Sequence, residues 1–577
     1  MHDDRSIPSR QDRPLGKRLP SRRMLASLAA VGASIAVVAS TSAFGGVHLS
    51  GVGAQPKAPG MTAPNELSPQ LDEEIVAQGA WRLENPSADG VIAYYGYLAD
   101  GNPMLPTNLA APAEAQKTEP DKNTYLVLPG QHGADAAYRY GSHFLYQGHE
   151  TGPRGYITRI NLDANAAHKV TLLASTQVAT ANLPAGNLPV YDGSAWNPFT
   201  RTLLFSSEGN GTSTGGIWEA TQDYPSTVVD RLGLFGRGGY EGVQEDNDGN
   251  IWLVEDLGGK TGTAGAGLAT NNAKQPNSFI FRLVPYDRRD LGKGGKLQVL
   301  QADGKDGNPV TFTGGAAPTQ SQIDADITSS FMRDLHTYGT SFATRWVTVH
   351  DTAVDGTATF NANSLAKAKG GTPFKRPENG QFRPASGFTD FYFTETGDTN
   401  ATSGANGPSG ASYGGWGGLL RLSQVDPSAD TGRLSALYLG DVDHSGFDNL
   451  TFLDRGRLIA VEDAGDTLHT QRGTLDSAFV FQLGTPGTGP EPLRIIAEGR
   501  DASATLDAGN AGFGKNEGDN EITGIHLSDG DSSAAGLIGT ANPTFLDPSD
   551  HNSSRWRLFW TQQHGDNITY EVKVADH

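Results

Sequence analysis

Short segments of alternating apolar and polar residues recur along this chain, and each ends in acidic, amide or imidazole side chains. The six clearest are HFLYQGHE (143–150), TLLFSSEGN (202–210), IWLVEDLGG (251–259), FYFTETGDT (391–399), RLIAVEDAG (457–465) and RLFWTQQHGD (557–566). Alternation with a period of two is typical of a half-buried strand. Six strands with the same kind of polar end indicate a repeated structural unit.

Further predicted strands flank these six segments. Four of them are preceded by a strand with a turn signal such as NDGN or SDG, at 191–201, 240–250, 447–457 and 520–530. Five are followed by a strand rich in β-branched or aromatic residues, at 155–163, 215–223, 277–285, 417–425 and 477–485. The repeat is therefore three antiparallel strands, with a fourth expected in the variable stretch that follows. Such a unit is the blade of a β-propeller.

The predicted fold is all-β, a six-bladed β-propeller with long loop and helical insertions. Blades of roughly 45 residues account for about half of the mature chain, so the rest is insertions. The largest insertion lies between Asp256 and Glu378 and contains a helix-prone stretch at 324–336 and a strand-like stretch at 345–351. A seventh blade in this insertion is an open alternative. We predict a single propeller domain over 76–577, after a linker rich in Gly, Pro and Ala at 44–75.

The first residues have the features of an export signal. A basic stretch at 17–23 precedes an Ala/Val-rich stretch, and small residues at 41–43 form a cleavage pattern. SRRML (21–25) resembles the twin-arginine signal of bacterial proteins that are exported folded, and an ordinary secretory signal or an anchor is the alternative. We predict a twin-arginine signal peptide over 1–43 and a periplasmic or secreted protein. No second apolar segment approaches the roughly 20 residues of a spanning helix, so we expect no membrane insertion after signal removal.

The amino-acid composition excludes several kinds of metal site, nucleophile and partner. The chain of 577 residues has no cysteine, which excludes disulfides, thiolate metal sites, iron–sulfur clusters and cysteine nucleophiles. Any bound metal is held by oxygen and imidazole. The formal net charge of −20 argues against nucleic acid as a partner and is compatible with binding of hard cations.

Hairpin geometry brings the polar strand ends together. In YEGVQEDNDGNIWLVED the turn at 247–250 reverses the chain, so Glu241 at the start of one strand lies beside Glu255 and Asp256 at the end of the next. The same construction predicts four further pairings: Asp192 with Glu208, Asp448 and Asn449 with Glu462 and Asp463, Glu378 with Glu395, and Glu521 with Gln563 and His564.

These strand ends are expected to share one location. The first strand of each propeller blade lines the central channel, so the ends from all blades point to a common mouth. About ten carboxylates at that mouth repel one another strongly unless cations neutralise them. Calcium takes six to eight oxygen ligands of this kind, so we predict several calcium ions in one pocket. The alternative for any single acid is a solvated turn residue.

The order of these segments resembles the PhoX-type alkaline phosphatases, a secreted bacterial family exported by the twin-arginine route. The resemblance runs from Tyr125 to the C-terminus and rests on GSHFLYQGHE, LLFSSEGN, YEGVQEDNDGNIWLVED, FKRPENG, DNLTFLDRGRLIAVED, NEITGIHLSDG and LFWTQQHG in that order. It implies a six-bladed propeller that hydrolyses phosphate monoesters with calcium and iron at the channel mouth. The resemblance and the hairpin geometry together give these predicted metal ligands: Glu208, Glu241, Glu255, Asp256, Glu378, Glu395, Asn449, Glu462, Asp463, Glu521 and Gln563.

One departure from the family concerns iron. Family members have Thr-Cys-Glu-Glu at the second strand exit, where the cysteine serves an iron pair, and this chain has Ser206-Ser207-Glu208-Gly209. A thiolate-bound iron pair cannot form here, so calcium is the predicted cofactor, and a different metal set, including iron without the thiolate, or loss of activity are the alternatives. His564-Gly565-Asp566 also stands where the family has His-Pro-Gly.

The predicted function is a metal-dependent phosphatase that acts as a monomer on small phosphate monoesters. Its predicted catalytic residues are Glu208, Arg376 and His564, with Arg376 as a clamp for the phosphate. Two alternatives stay open, because a fold does not determine a function. One is a calcium-dependent propeller hydrolase of another ester, such as a lactone. The other is a calcium-binding propeller without catalytic activity.

Overall fold

The computed structural model describes residues 46–57, 63–99, 103–104, 113–175, 188–209, 214–264, 272–314, 317–398, 412–484, 486–487, 489–499 and 520–575. The predicted signal peptide at 1–43 lies outside these ranges. Within them, no helix is long and apolar enough to cross a membrane.

Strands make up most of the regular structure. They are β1 (Glu66–Leu67), β2 (Leu71–Ala77), β3 (Pro103–Met104), β4 (Ala113–Glu114), β5 (Thr124–Val127), β6 (His143–Gln147), β7 (Tyr156–Asn161), β8 (Val170–Ser175), β9 (Ser194–Asn197), β10 (Thr202–Ser207), β11 (Gly216–Ala220), β12 (Val228–Asp230), β13 (Tyr240–Glu245), β14 (Ile251–Glu255), β15 (Thr261–Gly262), β16 (Ala273–Lys274), β17 (Ile280–Pro285), β18 (Gly295–Ala302), β19 (Ser341–Asp351), β20 (Gly380–Phe382), β21 (Asp390–Glu395), β22 (Gly418–Gln424), β23 (Thr431–Leu439), β24 (Phe447–Phe452), β25 (Arg457–Glu462), β26 (Ser477–Gln482), β27 (Leu493–Ala497), β28 (Glu521–Ser528), β29 (Arg557–Gln563) and β30 (Ile568–Val574).

Short helices lie between the strands. The α-helices are α1 (Leu232–Phe235), α2 (Gln320–Ile327), α3 (Ser330–Leu335), α4 (Thr352–Asp355), α5 (Ala362–Lys369) and α6 (Gly465–Arg472). The 3₁₀ helices are Ala166–His168, Leu291–Lys293, Ala534–Gly536 and Ser553–Arg555.

The strands form antiparallel groups of four that follow one another along the chain. Group 1 is β5–β8, group 2 is β9–β12 and group 5 is β24–β27, which β1 extends at its outer edge. Group 6 consists of β28, β29, β30 and β2. Group 3 (β13, β14, β17 and β18) and group 4 (β20–β23) share one nine-stranded sheet, because β19 pairs with both β18 and β23.

The six alternating segments form the second strand of each group, namely β6, β10, β14, β21, β25 and β29. Adjacent residues on such a strand pack against opposite neighbours, since successive side chains point to opposite faces of a sheet. On β10, Phe205 packs with residues of group 1, and Leu204 packs with residues of group 3. On β14, Leu253 packs with group 2, and Trp252 packs with group 4. These strands are therefore buried on both faces and not half-buried as the alternation predicted.

The sequence of groups closes on itself. The N-terminal strand β2 pairs with the C-terminal strand β30, so both ends of the described chain contribute to group 6. Group 6 also packs against group 1, where the rings of Phe559 and Tyr125 are 5.4 Å apart between centroids. This arrangement confirms the predicted all-β, propeller-like fold. The number of blades, six, stays a prediction because β19 joins two of the groups in one sheet.

Two boundaries differ from the sequence analysis. Strand β1 and most of β2 lie in the predicted linker at 44–75, and both pair with strands of the C-terminal groups. The Gly and Pro content obscured the short LDEEIVA strand. In the large insertion, the strand-like stretch at 345–351 is part of β19, which bridges groups 3 and 4 and does not begin a separate blade.

Candidate metal centre

Six carboxylates from the first four groups meet at one end of the strands. They form two clusters, and within each cluster one oxygen of every member lies within 4.8 Å of the others. The first cluster contains Glu208, Glu241, Asp256 and Glu378, and the second contains Glu150, Asp192 and Glu208. We call these six residues the rim carboxylates. Glu208 belongs to both clusters, so the two form one continuous acidic pocket.

The strand ends explain why these residues meet. Glu208 and Asp256 directly follow the second strands β10 and β14. Glu241 is the second residue of the first strand β13, and Tyr240 beside it pairs with Glu255 at the end of β14. Because the strands are antiparallel, the start of each first strand and the end of each second strand lie at the same edge.

Glycines and bulges allow the neighbouring first strands to approach closely. A Cβ atom on Gly193 would lie 2.7 Å from the carbonyl oxygen of Glu241, and one on Gly242 would lie 2.9 Å from that of Glu378. The Gly242 amide donates to this Glu378 carbonyl oxygen at 3.0 Å. The register of β13 shifts at Glu241, between Tyr240 and Gly242, as in a β-bulge. A bulge leaves its extra residue outside the regular ladder and redirects the side chain.

Arg376 is the cation of the first cluster. Its Nε donates to Asp256 Oδ2 at 2.9 Å, its Nη2 donates to the same oxygen at 2.6 Å, and Nη2 lies 3.2 Å from Glu378 Oε1. Burial lowers the pKa of Arg376, but Asp256 and Glu378 outweigh it and raise this pKa well above its ordinary value. The Arg376 side chain is 18% exposed, so it reaches the pocket surface. The backbone of Arg376 has a φ of 49°, in the left-handed region that residues other than glycine rarely adopt. Such strained conformations concentrate at functional sites.

The pocket is electrostatically unfavourable without added cations. Burial and the charge of Asp121 raise the pKa of Glu150 to about 8. Burial and Asp256 raise the pKa of Glu378 to about 7. The pKa values of Asp192, Glu208 and Glu241 are raised well above their ordinary values by burial and by the neighbouring carboxylates. Opposite charge in the pocket would lower all of these values again.

His564 lies at the edge of this pocket between two carboxylates. Its Nε2 is 3.2 Å from Glu119 Oε1, and its Nδ1 is 3.6 Å from Glu521 Oε2. Burial would raise the pKa of Glu119, but the hydrogen bond and charge of His564 outweigh it and hold this pKa below its ordinary value. Both His564 and Glu119 have positive φ, at 62° and 48°.

Three predicted ligands lie outside both clusters and have partners of their own. Glu255, Glu395 and Glu462 are the last residues of β14, β21 and β25. Glu255 Oε2 accepts from Asn363 Nδ2 of α5 at 3.0 Å. Glu395 Oε2 is 3.0 Å from Nε2 of His336, which follows α3.

Glu462 Oε1 accepts from Arg472 of α6 at 2.6 Å. We call Glu255, Glu395 and Glu462 the anchor glutamates, because each holds a residue in or next to an inserted helix. The structure therefore places these three predicted ligands outside the two clusters, and metal binding by them stays a prediction. The physical reason is the strand alternation, which turns the last residue of the strand away from the residue that follows it.

The remaining predicted residues lie near the second cluster or at the first strands of groups 5 and 6. Gln563 Nε2 donates to Glu150 Oε2 at 3.1 Å and to Asp121 Oδ2 at 3.2 Å. Asn449 Nδ2 donates to Asp448 Oδ1 at 2.9 Å, and its own Oδ1 is buried without a partner in the described chain.

Asp463 follows Glu462 at the same strand end. Its pKa is raised by burial and by Asp476. Glu521 pairs with Gln563 in the sheet register, as the hairpin rule predicted.

The sequence analysis did not include the segment before β5 among the predicted site residues. Glu119, Asp121 and Lys122 enter the pocket from the start of group 1, and burial raises the pKa of Asp121 to about 7. Glu150 and Asp192 were recognised as polar strand ends but were not included among the predicted ligands. The signal was available, because the hairpin rule that we applied to later groups also places the residues before β5 at this rim.

The donor atoms fit hard cations and do not fit a thiolate metal. The pocket offers carboxylate and amide oxygens, and Asp192 Oδ1 is a buried acceptor without a hydrogen-bond partner among the described residues. Such donors match calcium. Ser207 stands at the position of the family cysteine, and its Oγ is likewise buried and without a partner in the described chain. A hydroxyl is a poor substitute for a thiolate toward iron.

Comparisons with known proteins agree with this architecture. The model of the family described as alkaline phosphatase PhoX matches residues 269–536. No curated protein sequence matches the chain.

Among solved structures, the fold is similar to that of "Pseudomonas fluorescens PhoX in complex with vanadate, a transition state analogue". The TM-score is 0.52 at 14% sequence identity, and the match covers 91% of this chain and 98% of that one. At this identity the structural match concerns the fold. The family match over residues 269–536 bears out the resemblance to the PhoX family, and the structural match bears out the fold.

Proposed function

We propose that this chain, whose residues 269–536 match the PhoX alkaline phosphatase family, is a calcium-dependent phosphatase for small phosphate monoesters. The observation that carries the proposal is the joint presence of the rim carboxylates and Arg376 in one pocket. A phosphate ester is repelled by a bare carboxylate pocket, so the pocket serves this substrate only when cations neutralise it.

The rim carboxylates would hold the cations. Glu208 belongs to both clusters, so it would help to hold a cation in either of them. When bound, calcium supplies positive charge to the phosphoryl oxygens and activates the attacking water. We favour calcium over iron because the donors are oxygen atoms and the chain has no cysteine.

Arg376 would bind the phosphoryl group. Asp256 and Glu378 hold its guanidinium on one side, which fixes its direction before substrate arrives. A guanidinium held in a fixed direction has the planar geometry that suits binding of phosphoryl oxygens. Because folding already orients the guanidinium, substrate binding loses less entropy in reaching the reactive arrangement.

His564 would donate a proton to the leaving oxygen. Glu119 and Glu521 lie on its two ring nitrogens, and such carboxylates stabilise a protonated imidazole. The side chain is 24% exposed, so its ring is accessible to a substrate in the pocket. General acid catalysis of this kind contributes roughly 10²- to 10⁴-fold.

The proposed place of action rests on the export-signal pattern at residues 17–43. We propose that the protein is exported to the periplasm or beyond through the twin-arginine route, with the signal peptide over 1–43. We further propose that it works as a monomer.

The test is a chromogenic phosphate monoester assay on the full mature chain. Protein stripped with a chelator is assayed without metal, with calcium and with iron, and a lactone is assayed in parallel. We expect phosphate release that needs calcium and that vanadate inhibits. Folded, calcium-loaded protein that releases no phosphate would contradict the proposal, and turnover of the lactone alone would move the function to the other ester hydrolases. The exposed Glu74→Gln variant on β2 is the control for an acidic residue far from the pocket.

A further inference from the structure

Lys122 is a buried lysine that one amide links to the rim carboxylates. It directly follows Asp121 and precedes β5, and it is 2% exposed. Its Nζ donates to Asn379 Oδ1 at 3.0 Å, and Asn379 Nδ2 lies 3.3 Å from Glu241 Oε1. One amide therefore connects the Lys122 ammonium to a member of the first cluster.

The ammonium is surrounded by acids but not paired with one. Burial lowers the pKa of Lys122 to about 8, and the charges of Asp121, Asp448, Glu241 and Glu245 act in the opposite direction and favour the charged ammonium. Within the described part of the chain, the amide oxygen of Asn379 is the side-chain acceptor of its Nζ, and no carboxylate forms an ion pair with it. A buried ammonium is costly unless opposite charge compensates it. Here several carboxylates share that compensation, as they would around a metal ion.

The space next to Lys122 has room for further ligands. A cavity of about 70 Å³ is lined by Lys122, Glu245, Gln381 and His526 among others. Glu245 Oε1 and His526 Nε2 are buried there without hydrogen-bond partners in the described chain. The cavity can hold about two water molecules. Removal of the ammonium would therefore leave a small polar space with unsatisfied acceptors.

We propose that Lys122 is a built-in cation that sets the number of metal ions in the pocket. Its ammonium holds the place that one further divalent ion would take among Glu241, Asp448 and Glu245. Lys122 is thus a positioning residue, since it acts through the charge and arrangement of the carboxylates. The inference rests on the metal-binding part of the proposed function and does not depend on catalysis.

The experiment counts metal ions in the mature chain. Wild type, Lys122→Met, Lys122→Arg and Lys375→Met are dialysed against calcium, and calcium per chain is measured by elemental analysis and native mass spectrometry. Lys122→Met keeps the length of the side chain and removes its charge, and Lys122→Arg keeps the charge. Lys375→Met removes another buried lysine, which pairs with Asp398 at 2.9 Å outside the two clusters.

We expect one additional calcium ion per chain in Lys122→Met and the wild-type number in the other two variants. Unfolding of Lys122→Met in a chelator with refolding in calcium would also support the proposal, because calcium then replaces the ammonium. An unchanged or smaller number in folded Lys122→Met would overturn it, as would failure of that variant to fold in calcium. Wild type that binds no metal at all would instead overturn the proposed function.

Discussion

The rim carboxylates and the anchor glutamates come from the same sequence pattern, but the first gather in one acidic pocket and the second bond residues in or next to inserted helices. Glu255 and Asp256 are neighbours in the chain, yet Asp256 meets Arg376 and the first cluster while Glu255 meets Asn363 of α5. Glu462 likewise meets Arg472 in α6. One residue of register therefore separates an acid of the first cluster, which pairs with Arg376, from an acid that bonds a residue of an inserted helix.

Neighbouring residues differ because of strand alternation. Successive side chains on a strand point to opposite faces, so the last residue and the next cannot reach the same pocket. The anchor faces the outer helices, where hydrogen-bond donors are available within the protein. The rim residue faces the acidic pocket, where oxygens of other carboxylates lie within 4.8 Å and Arg376 is the cation of the first cluster. The comparison predicts opposite effects of the two kinds of substitution on stability and on metal binding.

The largest effect is expected for an anchor. Glu462→Ala leaves the fully buried Arg472 with Asp476 as its remaining carboxylate partner, at 2.9 Å. Removal of one partner from a buried ion pair costs about 3 kcal/mol of unfolding free energy. Chemical denaturation in saturating calcium measures this loss. The calcium count of the folded variant should equal that of wild type, and a lower count would break the distinction between anchor and rim.

A rim substitution should reduce activity and leave the stability of the metal-free protein unchanged or higher, the reverse of an anchor substitution. Glu378→Gln removes one charge from the first cluster, so we expect a loss of phosphatase activity of roughly 100-fold, or about 2.7 kcal/mol in the barrier. In a chelator the variant should melt at the wild-type temperature or above it, because a repelling charge is gone. A variant that melts much lower in the chelator and keeps its activity would show that Glu378 is structural.

A smaller effect is expected for the guanidinium. Arg376→Lys keeps the positive charge but loses the planar arrangement that Asp256 holds. We expect the inhibition constant of inorganic phosphate to rise roughly 10-fold, or about 1.4 kcal/mol. Competitive inhibition of the monoester assay gives this constant. An unchanged constant would mean that Arg376 only balances the nearby acids.

The last effect concerns pH. Burial and neighbouring charge raise the pKa of Glu150 to about 8 and those of Asp121 and Glu378 to about 7 in the folded chain. The unfolded values are near 4, so the folded chain binds these protons more tightly. The stability from these groups is therefore complete below about pH 4 and is lost as pH rises to about 8.

We expect the melting temperature in a chelator to fall by a few degrees between about pH 5.5 and pH 8. Calcium should remove this fall, because it favours the ionised carboxylates. Differential scanning calorimetry across the pH series checks both statements. A melting temperature in the chelator that rises over this range would contradict the raised pKa values.

The sequence predicted the repeated strands and their shared polar edge better than the individual ligands. Period-two alternation identified the second strand of every group, and the hairpin rule paired Glu521 with Gln563 as the structure does. It did not separate Glu255 from Asp256, because both are acids at one strand end and the partner helix α5 is far away in sequence. Asp121 and Lys122 were missed because the hairpin rule was not applied to the strand that precedes the first alternating segment. The role of β2 depends on pairing with β30 at the other end of the chain, which local pattern does not reveal.

The most direct test of the account compares the two neighbours Asp256 and Glu255. Calcium binding by isothermal titration is measured for wild type, Asp256→Asn and Glu255→Gln, each of which changes one carboxylate to an amide of equal size. We predict that Asp256→Asn loses calcium affinity at least 10-fold and that Glu255→Gln binds calcium as wild type does. Equal losses in both variants, or a loss confined to Glu255→Gln, would contradict the division into rim and anchor residues.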